Sequence, residues 1–197
     1  DCPHSAIIYH GNEYHIECNE FYNVAQETGD TGAIYIGFDL TFRGIVINDN
    51  FYHNMGQHGP TDSFAIYSDC CQGGTIIRNN HFRDICCAVS NNGGDNFEVV
   101  GNVCENTETF FVNFAAHGMH PGEAARFDTD TTLRNAFYAV KADRPPYSDR
   151  YPDLVRFDRI FKQAEKEGKP ALFTPSIHIE GNVLKNSVNL TRWNNDK

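Results

Sequence analysis

The chain has 197 residues, a formal charge of −10 and a sequence pI near 5.2. That length suits a single domain with a substantial core. The acidic balance argues against the phosphate backbone of nucleic acid or an anionic membrane surface as partner, and no apolar run approaches membrane-spanning length, so membrane insertion is not expected.

In chain order, an apolar run Ala6-Ile7-Ile8-Tyr9 and a Gly11-Asn12 turn lead into a nine-residue pattern, 15–23, that recurs four times. With Asn19 as origin, equivalent asparagines fall at Asn50, Asn80, Asn102 and Asn182. Three positions earlier stand Ile16, Ile47, Ile77, Val99 and Ile179, and two positions later Phe21, Tyr52, Phe82, Cys104 and Leu184. Four positions later stand Asn23, Asn54, Asp84, Asn106 and Asn186, and the position before each origin is small or polar. Apolar residues at −3 and +2 with a turn residue between them predict two short strands meeting at a bend. Asparagine suits such a bend because it tolerates left-handed backbone and its amide can bond neighbouring main chain. Repetition along the chain predicts stacked coils with an asparagine ladder. The shortest interval, from Asn80 to Asn102, suits a three-sheet coil.

Strands are also predicted at Ala33–Gly37 and Phe64–Ser68, each preceded by a polar loop. The ladder pauses after Asn106, and residues 114–176 read as an insertion with one helix over 152–167. Pro152 stands at its first position, Leu154, Phe157, Ile160, Phe161 and Ala164 form one apolar stripe, and Gly168 lies just past its end. The fold class expected is all-β, a right-handed parallel β-helix of three sheets in one domain over 1–197. The chain opens on Asp1-Cys2-Pro3-His4 as if in mid-pattern, which reads as part of a longer or processed precursor.

Counting back eleven residues from ladder asparagines gives Asp39, Asp69 and Asn91, and a step of seven from Asn106 adds Asn113. Coils in register would stack these on one face. Asp39 and Asp69 are then the candidate catalytic pair, because retaining glycosidases use two carboxylates about 5–5.5 Å apart. Asp30, Tyr35, Tyr67, Asn91 and His10 are the candidate substrate contacts beside that line; His10, His53 and His81 either line the same face or are simply exposed. A turn role is the competing explanation for each Asp and Asn, and the tyrosines also suit a packed strand. His117 and His120 are spaced as metal ligands could be, but Gly118 and Pro121 place them in a loop. No cofactor is indicated. A structural or substrate-bridging Ca2+ is compatible with the acidic line, without a motif that calls for it.

Seven cysteines with no zinc-finger spacing and one N-glycosylation sequon, at Asn189, favour a secreted, disulfide-bearing glycoprotein.

The segments Glu27-Thr28-Gly29-Asp30-Thr31-Gly32-Ala33-Ile34-Tyr35, Gly37-Phe38-Asp39, Arg43-Gly44, Ala65-Ile66-Tyr67-Ser68-Asp69 and Arg150-Tyr151-Pro152-Asp153-Leu154 resemble secreted right-handed parallel β-helix proteins. The resemblance is to the pectin-lyase-like superfamily, near glycoside hydrolase family 141, and runs over nearly the whole chain. It implies a β-helix and a carbohydrate substrate. Members of that family usually carry Arg where this chain has Phe38, and often a second acidic residue where it has Cys70. Three functions stay open: a glycoside hydrolase acting on a complex glycan, a polysaccharide lyase, and a non-catalytic extracellular glycan-binding or structural protein. The lyase is the least compatible with an acidic chain.

Overall fold

The computed structural model describes residues 1–56, 63–115, 117–119, 121–126, 129–187 and 191–194. In chain order the strands are β1 (Ile7–Ile8), β2 (His15–Glu17), β3 (Glu20–Tyr22), β4 (Thr31–Gly37), β5 (Ile45–Asn48), β6 (Phe51–Met55) and β7 (Ser63–Asp69). They continue with β8 (Thr75–Arg78), β9 (His81–Asn92), β10 (Phe97–Val100) and β11 (Val103–Ala115). Four helices follow, α1 (Pro121–Arg126), α2 (Thr129–Ala139), α3 (Tyr147–Arg150) and α4 (Val155–Glu167), then β12 (Ile177–Glu180), β13 (Val183–Lys185) and β14 (Thr191–Asn194).

Every strand pairing among the described residues is parallel. One sheet has five strands in the order β12-β10-β8-β5-β2; the other has nine, along β1-β4-β7-β9-β11-β13 with β3, β6 and β14 beside that path. The first sheet aligns Ile16, Ile47, Ile77, Val99 and Ile179. The second aligns Phe21, Tyr52, Phe82, Cys104 and Leu184, and separately Ile7, Ile34, Ile66, Val89 and Val112. These rows meet in one apolar core.

The asparagine column holds the two sheets at their junction. The backbone N–H and Nδ2 of Asn19 both donate to Oδ1 of Asn50, at 2.9 and 3.0 Å. The same double bond repeats from Asn50 to Asn80, from Asn80 to Asn102 and from Asn102 to Asn182. Each Nδ2 above the first also donates to a main-chain carbonyl, of Ile16, Ile47, Ile77 or Val99 in turn. The amides thus bond neighbouring main chain, as expected. The left-handed backbone falls elsewhere: on the residue before each asparagine, Cys18, Asp49, Asn79, Gly101 and Gly181 (φ 54 to 65°), and again four residues after it, from Asn23 to Asn186 (φ 50 to 56°). Asparagine, aspartate and glycine dominate both positions because a Cβ crowds the carbonyl in this conformation and branched side chains suffer most.

The expected architecture is corrected on two counts: the protein is a mixed α/β-type arrangement of two parallel sheets with helices, without a closed solenoid. First, the left-handed residues Asp84 and Asn106 bend β9 and β11 without ending them, since pairing runs on to Asn92 and Ala115. Strands expected in separate sheets therefore share the nine-stranded one. Second, the described residues of 114–176 hold four α-helices instead of one. The helix read at 152–167 begins as a 3-10 turn, Pro152–Leu154, and continues as α4 to a left-handed Gly168 (φ 62°). No disulfide forms among the described residues, and the Cys2, Cys18, Cys70, Cys71 and Cys104 thiols are free, so disulfide stapling is corrected as well.

The helices build a second core of Leu133, Phe137, Leu154, Phe157, Phe161 and Phe173, into which Leu40 and Cys71 project from the turns after β4 and β7. Polar contacts lock this docking. The buried Arg43 guanidinium lies 2.7 Å from Asp153 and 3.6 Å from the buried Asp95, and Arg156 reaches Asp95 at 2.6 Å. Tyr147 donates to the Thr41 carbonyl, and Tyr151 and Arg150 donate to Glu13. The helical layer therefore sits over the carboxyl ends of β4, β7 and β9.

Two measurements check these assignments. Replacing Asn80 by Ala leaves the main chain of Asn50 and Ile47 without partners and should cost about 3 kcal/mol or more in denaturant unfolding, against about 1 kcal/mol for Asn19→Ala at the exposed end. Comparable losses at both sites would contradict the ladder's role. The Tyr151 hydroxyl, aided by Arg150, holds the Glu13 carboxyl below its usual range. A lowered folded-state pKa adds stability above the unfolded value of about 4.3 and loses it as pH falls through the folded one. Glu13→Gln should therefore lower Tm at neutral pH and converge with the parent in acid; a difference independent of pH would contradict the contact.

Candidate functional site

Three parallel strands, β4, β7 and β9, bring their carboxyl ends together where the helical layer begins. Tyr35 lies beside Tyr67, Gly37 beside Asp69, and Ser68 beside Asn91. The two tyrosine rings meet edge to face with centroids 5.3 Å apart.

One hydrogen-bonded chain runs through the group. Tyr67 donates its hydroxyl to Oδ1 of the exposed Asp30 at 2.9 Å. Asn92 Nδ2 donates to the Tyr67 oxygen at 3.0 Å and to Asp69 Oδ1 at 2.8 Å. Asp69 Oδ1 also accepts the Cys70 N–H at 2.8 Å, while Oδ2 accepts the Tyr35 hydroxyl at 3.0 Å. Asp69, Tyr67 and Asn92 are buried, and Tyr35 is half-buried, so Asp30 and Tyr35 form the rim and the other three the floor. Burial, and then the Asp69 charge, push the phenols of Tyr35 and Tyr67 far up; both stay protonated donors. Burial and Asp69 do the same to the Cys70 thiol.

Phe38, next after Gly37, is a non-glycine residue at φ 65° and remains 46% exposed. An aromatic side chain held left-handed and facing solvent costs on the order of 1–2 kcal/mol and belongs to the kind of local strain that clusters at functional sites.

The proposed Asp39–Asp69 pair does not form by register. Gly37, not Asp39, stands opposite Asp69, because the turn from Gly37 to Ile45 is two residues longer than the turn from Asp69 to Thr75. Asp39 caps its own turn instead, with Oδ1 accepting the Thr41 N–H at 2.8 Å and the Thr41 hydroxyl at 2.6 Å. A turn one residue shorter, from Asn92 to Phe97, likewise displaces Asn91. It is fully buried, its Oδ1 accepts the Gly94 N–H, and its backbone neighbour Phe114 belongs to the core, so it offers nothing to a substrate. Asn92 takes the place intended for it. Asn113 donates to Ser90 at 3.1 Å, on the Tyr67 line. His10 is exposed with its ring edge-on to Phe42, apart from the network, and His53 and His81 pair with Glu20 and Glu105 on the strands that follow the ladder asparagines. Asn189 and His120 lie outside the described residues.

Sequence reasoning missed Asn92, and it weighed His117 as a ligand only with His120, not with Cys70 and Asp69. In sequence Asn92 reads only as part of a turn, Asn91-Asn92-Gly93-Gly94. Cys70 and His117 come together with Asp69 only through the long excursion of β11, and one donor atom from each of the three lies within 4.8 Å of the others.

No protein-family model, curated protein or solved structure matches this chain. With two parallel sheets and a helical layer in place of a β-helix, the resemblance to the β-helix proteins near glycoside hydrolase family 141 is corrected; no homologue carries it.

Gly37 tests the packing at the site. A Cβ there would lie 3.0 Å from the Asp69 Cβ and 3.2 Å from its carbonyl oxygen. Gly37→Ala should cost about 1–3 kcal/mol by overpacking, read as a fall in unfolding midpoint; an unchanged midpoint would place the two strand ends farther apart than described.

Proposed function

We propose that the protein hydrolyses a glycosidic bond of a carbohydrate over the Asp30–Tyr67–Asn92–Asp69–Tyr35 network. The observation that carries this reading is the bridged carboxylate pair: Asp30 at the rim, Asp69 on the floor, and two hydrogen-bonding groups between them. A two-group bridge suits the wider spacing of an inverting pair, about 6.5–9.5 Å, which leaves room for a water. Asp30 would protonate the leaving oxygen. Asp69, fixed by Tyr35, Asn92 and the Cys70 N–H, would take a proton from the attacking water. Tyr35 and the exposed Phe38 ring offer an apolar face with a polar edge, as a sugar ring needs.

A lyase would need a cation to neutralise a uronate, whereas the donors on this network are hydroxyls, an amide and a main-chain N–H. A non-catalytic glycan-binding protein would use the same rim without turnover. An extracellular glycan would place the protein outside the cell; the Asn189 sequon supports that location, and the cysteines no longer do.

The test is release of reducing ends from a panel of neutral polysaccharides. Turnover should appear without the ultraviolet absorbance of an unsaturated product, and Asp30→Asn and Asp69→Asn should each lower it about 100-fold or more while Asp39→Asn leaves it within a few-fold. Full activity in both variants, or an absorbing product, would contradict the assignment; binding without turnover would favour the non-catalytic reading.

A further inference from the structure

Asp69 ends β7, and Cys70 and Cys71 follow it with φ of 35° and 65°, two left-handed residues in succession. This turn sets the Cys70 thiol beside the Asp69 carboxylate. His117 arrives from the other side, just after β11 leaves the sheet. Two close approaches fix its position. A Cβ on Gly93 would stand 2.0 Å from the His117 carbonyl oxygen, so only glycine lets that segment close down. One residue on, the Gly118 carbonyl accepts the Phe173 N–H at 2.9 Å, and Phe173 is anchored in the helical core. All three side chains are buried, with exposures of 9%, 3% and 7% for Asp69, Cys70 and His117.

The structure assigns to Asp69, Cys70 and His117 a binding site for one thiophilic divalent cation, zinc by preference, at the carboxyl ends of the nine-stranded sheet. The donor set is one thiolate sulfur, one imidazole nitrogen and one carboxylate oxygen. Zinc takes such mixed ligands tetrahedrally, whereas Ca2+ requires six to eight oxygens. With metal–ligand bonds of about 2.0–2.3 Å, tetrahedral donors lie about 3.5 Å apart. Donor atoms already within 4.8 Å of one another need only small side-chain rotations to reach that spacing. The fourth position is left for water. Ligation replaces the thiol proton of Cys70, which passes to solvent, and keeps His117 neutral. The Cys70 thiol and His117 have no part in the glycan reading, which uses only the Cys70 main-chain N–H. Where that reading holds, a bound cation would occupy the Asp69 oxygens that accept the water's proton, so zinc would act as an inhibitor at this site.

Cobalt(II) makes the site visible. The full chain, stripped with chelator and kept reduced, is titrated with cobalt, then with zinc as competitor. One equivalent should bind with a strong thiolate-to-cobalt charge-transfer band and the intense visible bands of four-coordination, both removed by zinc. Cys70→Ser should abolish the charge-transfer band. His117→Gln should weaken affinity at least tenfold while keeping the protein folded by circular dichroism. Asp30→Asn, which tests the glycan reading, should leave the cobalt spectrum unchanged, so the two ideas fail separately. A spectrum without the charge-transfer band, or a band that survives Cys70→Ser because Cys2 or Cys18 supplies the thiolate, would overturn the assignment. So would His117→Gln binding cobalt as tightly as the parent.

Discussion

In each interior rung of the asparagine column one side chain bonds at least four main-chain or amide groups of its neighbours. A buried backbone N–H or carbonyl without a partner costs more than a single hydrogen bond returns, so an interior rung of the column is far more costly to lose than its exposed end. Its consequence is register. Once Asn50 accepts from Asn19 and donates towards Asn80, the apolar residues three before and two after are forced into rows, and the core follows from the rows. Loops of very different length between the asparagines are tolerated because the column, not the loop, sets the alignment. The eighty residues from Asn102 to Asn182 can therefore leave, build four helices, and return to the next rung.

Register is also what placed the candidate site. The turns after Gly37, Asp69 and Asn92 differ in length, so residues equidistant from the ladder in sequence are not neighbours in space. The ladder rows were readable because they flank the anchor by two or three positions, too few for an insertion to intervene. Eleven positions away, a longer turn after Gly37 moves Asp39 off Asp69 and a shorter one after Asn92 puts Asn92 where Asn91 is expected. Asp30, Tyr35, Tyr67 and Asp69 could be recognised as a group because they lie within the strands or beside them. Cys70 and His117 could not be joined on paper, since forty-six positions and the whole of β9 to β11 separate them. The sheet architecture departs from the expected coil for a related reason. A left-handed residue reads in sequence as the end of a strand, yet pairing continues through Asp84 and Asn106. The helical content was hidden because α2 lacks the clear stripe and the caps that made α4 readable.

The helical layer and the sheet depend on each other at the site. Arg43, Asp95, Asp153 and Arg156 form a buried or half-buried ion network at the seam, where removing one partner leaves a charge stranded and is costly. Leu40 and Cys71 flank the polar group on the side of the helices, so the floor of the site is buried and its rim is exposed. Polar groups in such a position hold their geometry before any ligand arrives, which is what a catalytic or recognition site requires.

In the proposed function, ligand meets the protein at Tyr35, Tyr67 and Asp30, and not on the exposed aromatic face where Tyr22 stacks on His53. Tyrosine ring-carbon labelling and nuclear magnetic resonance test it directly, with an oligosaccharide as titrant. The account predicts that the Tyr35 and Tyr67 resonances move together and saturably while those of Tyr22 and Tyr138 hold still. Movement confined to Tyr22, with Tyr35 and Tyr67 unchanged at saturation, would contradict it.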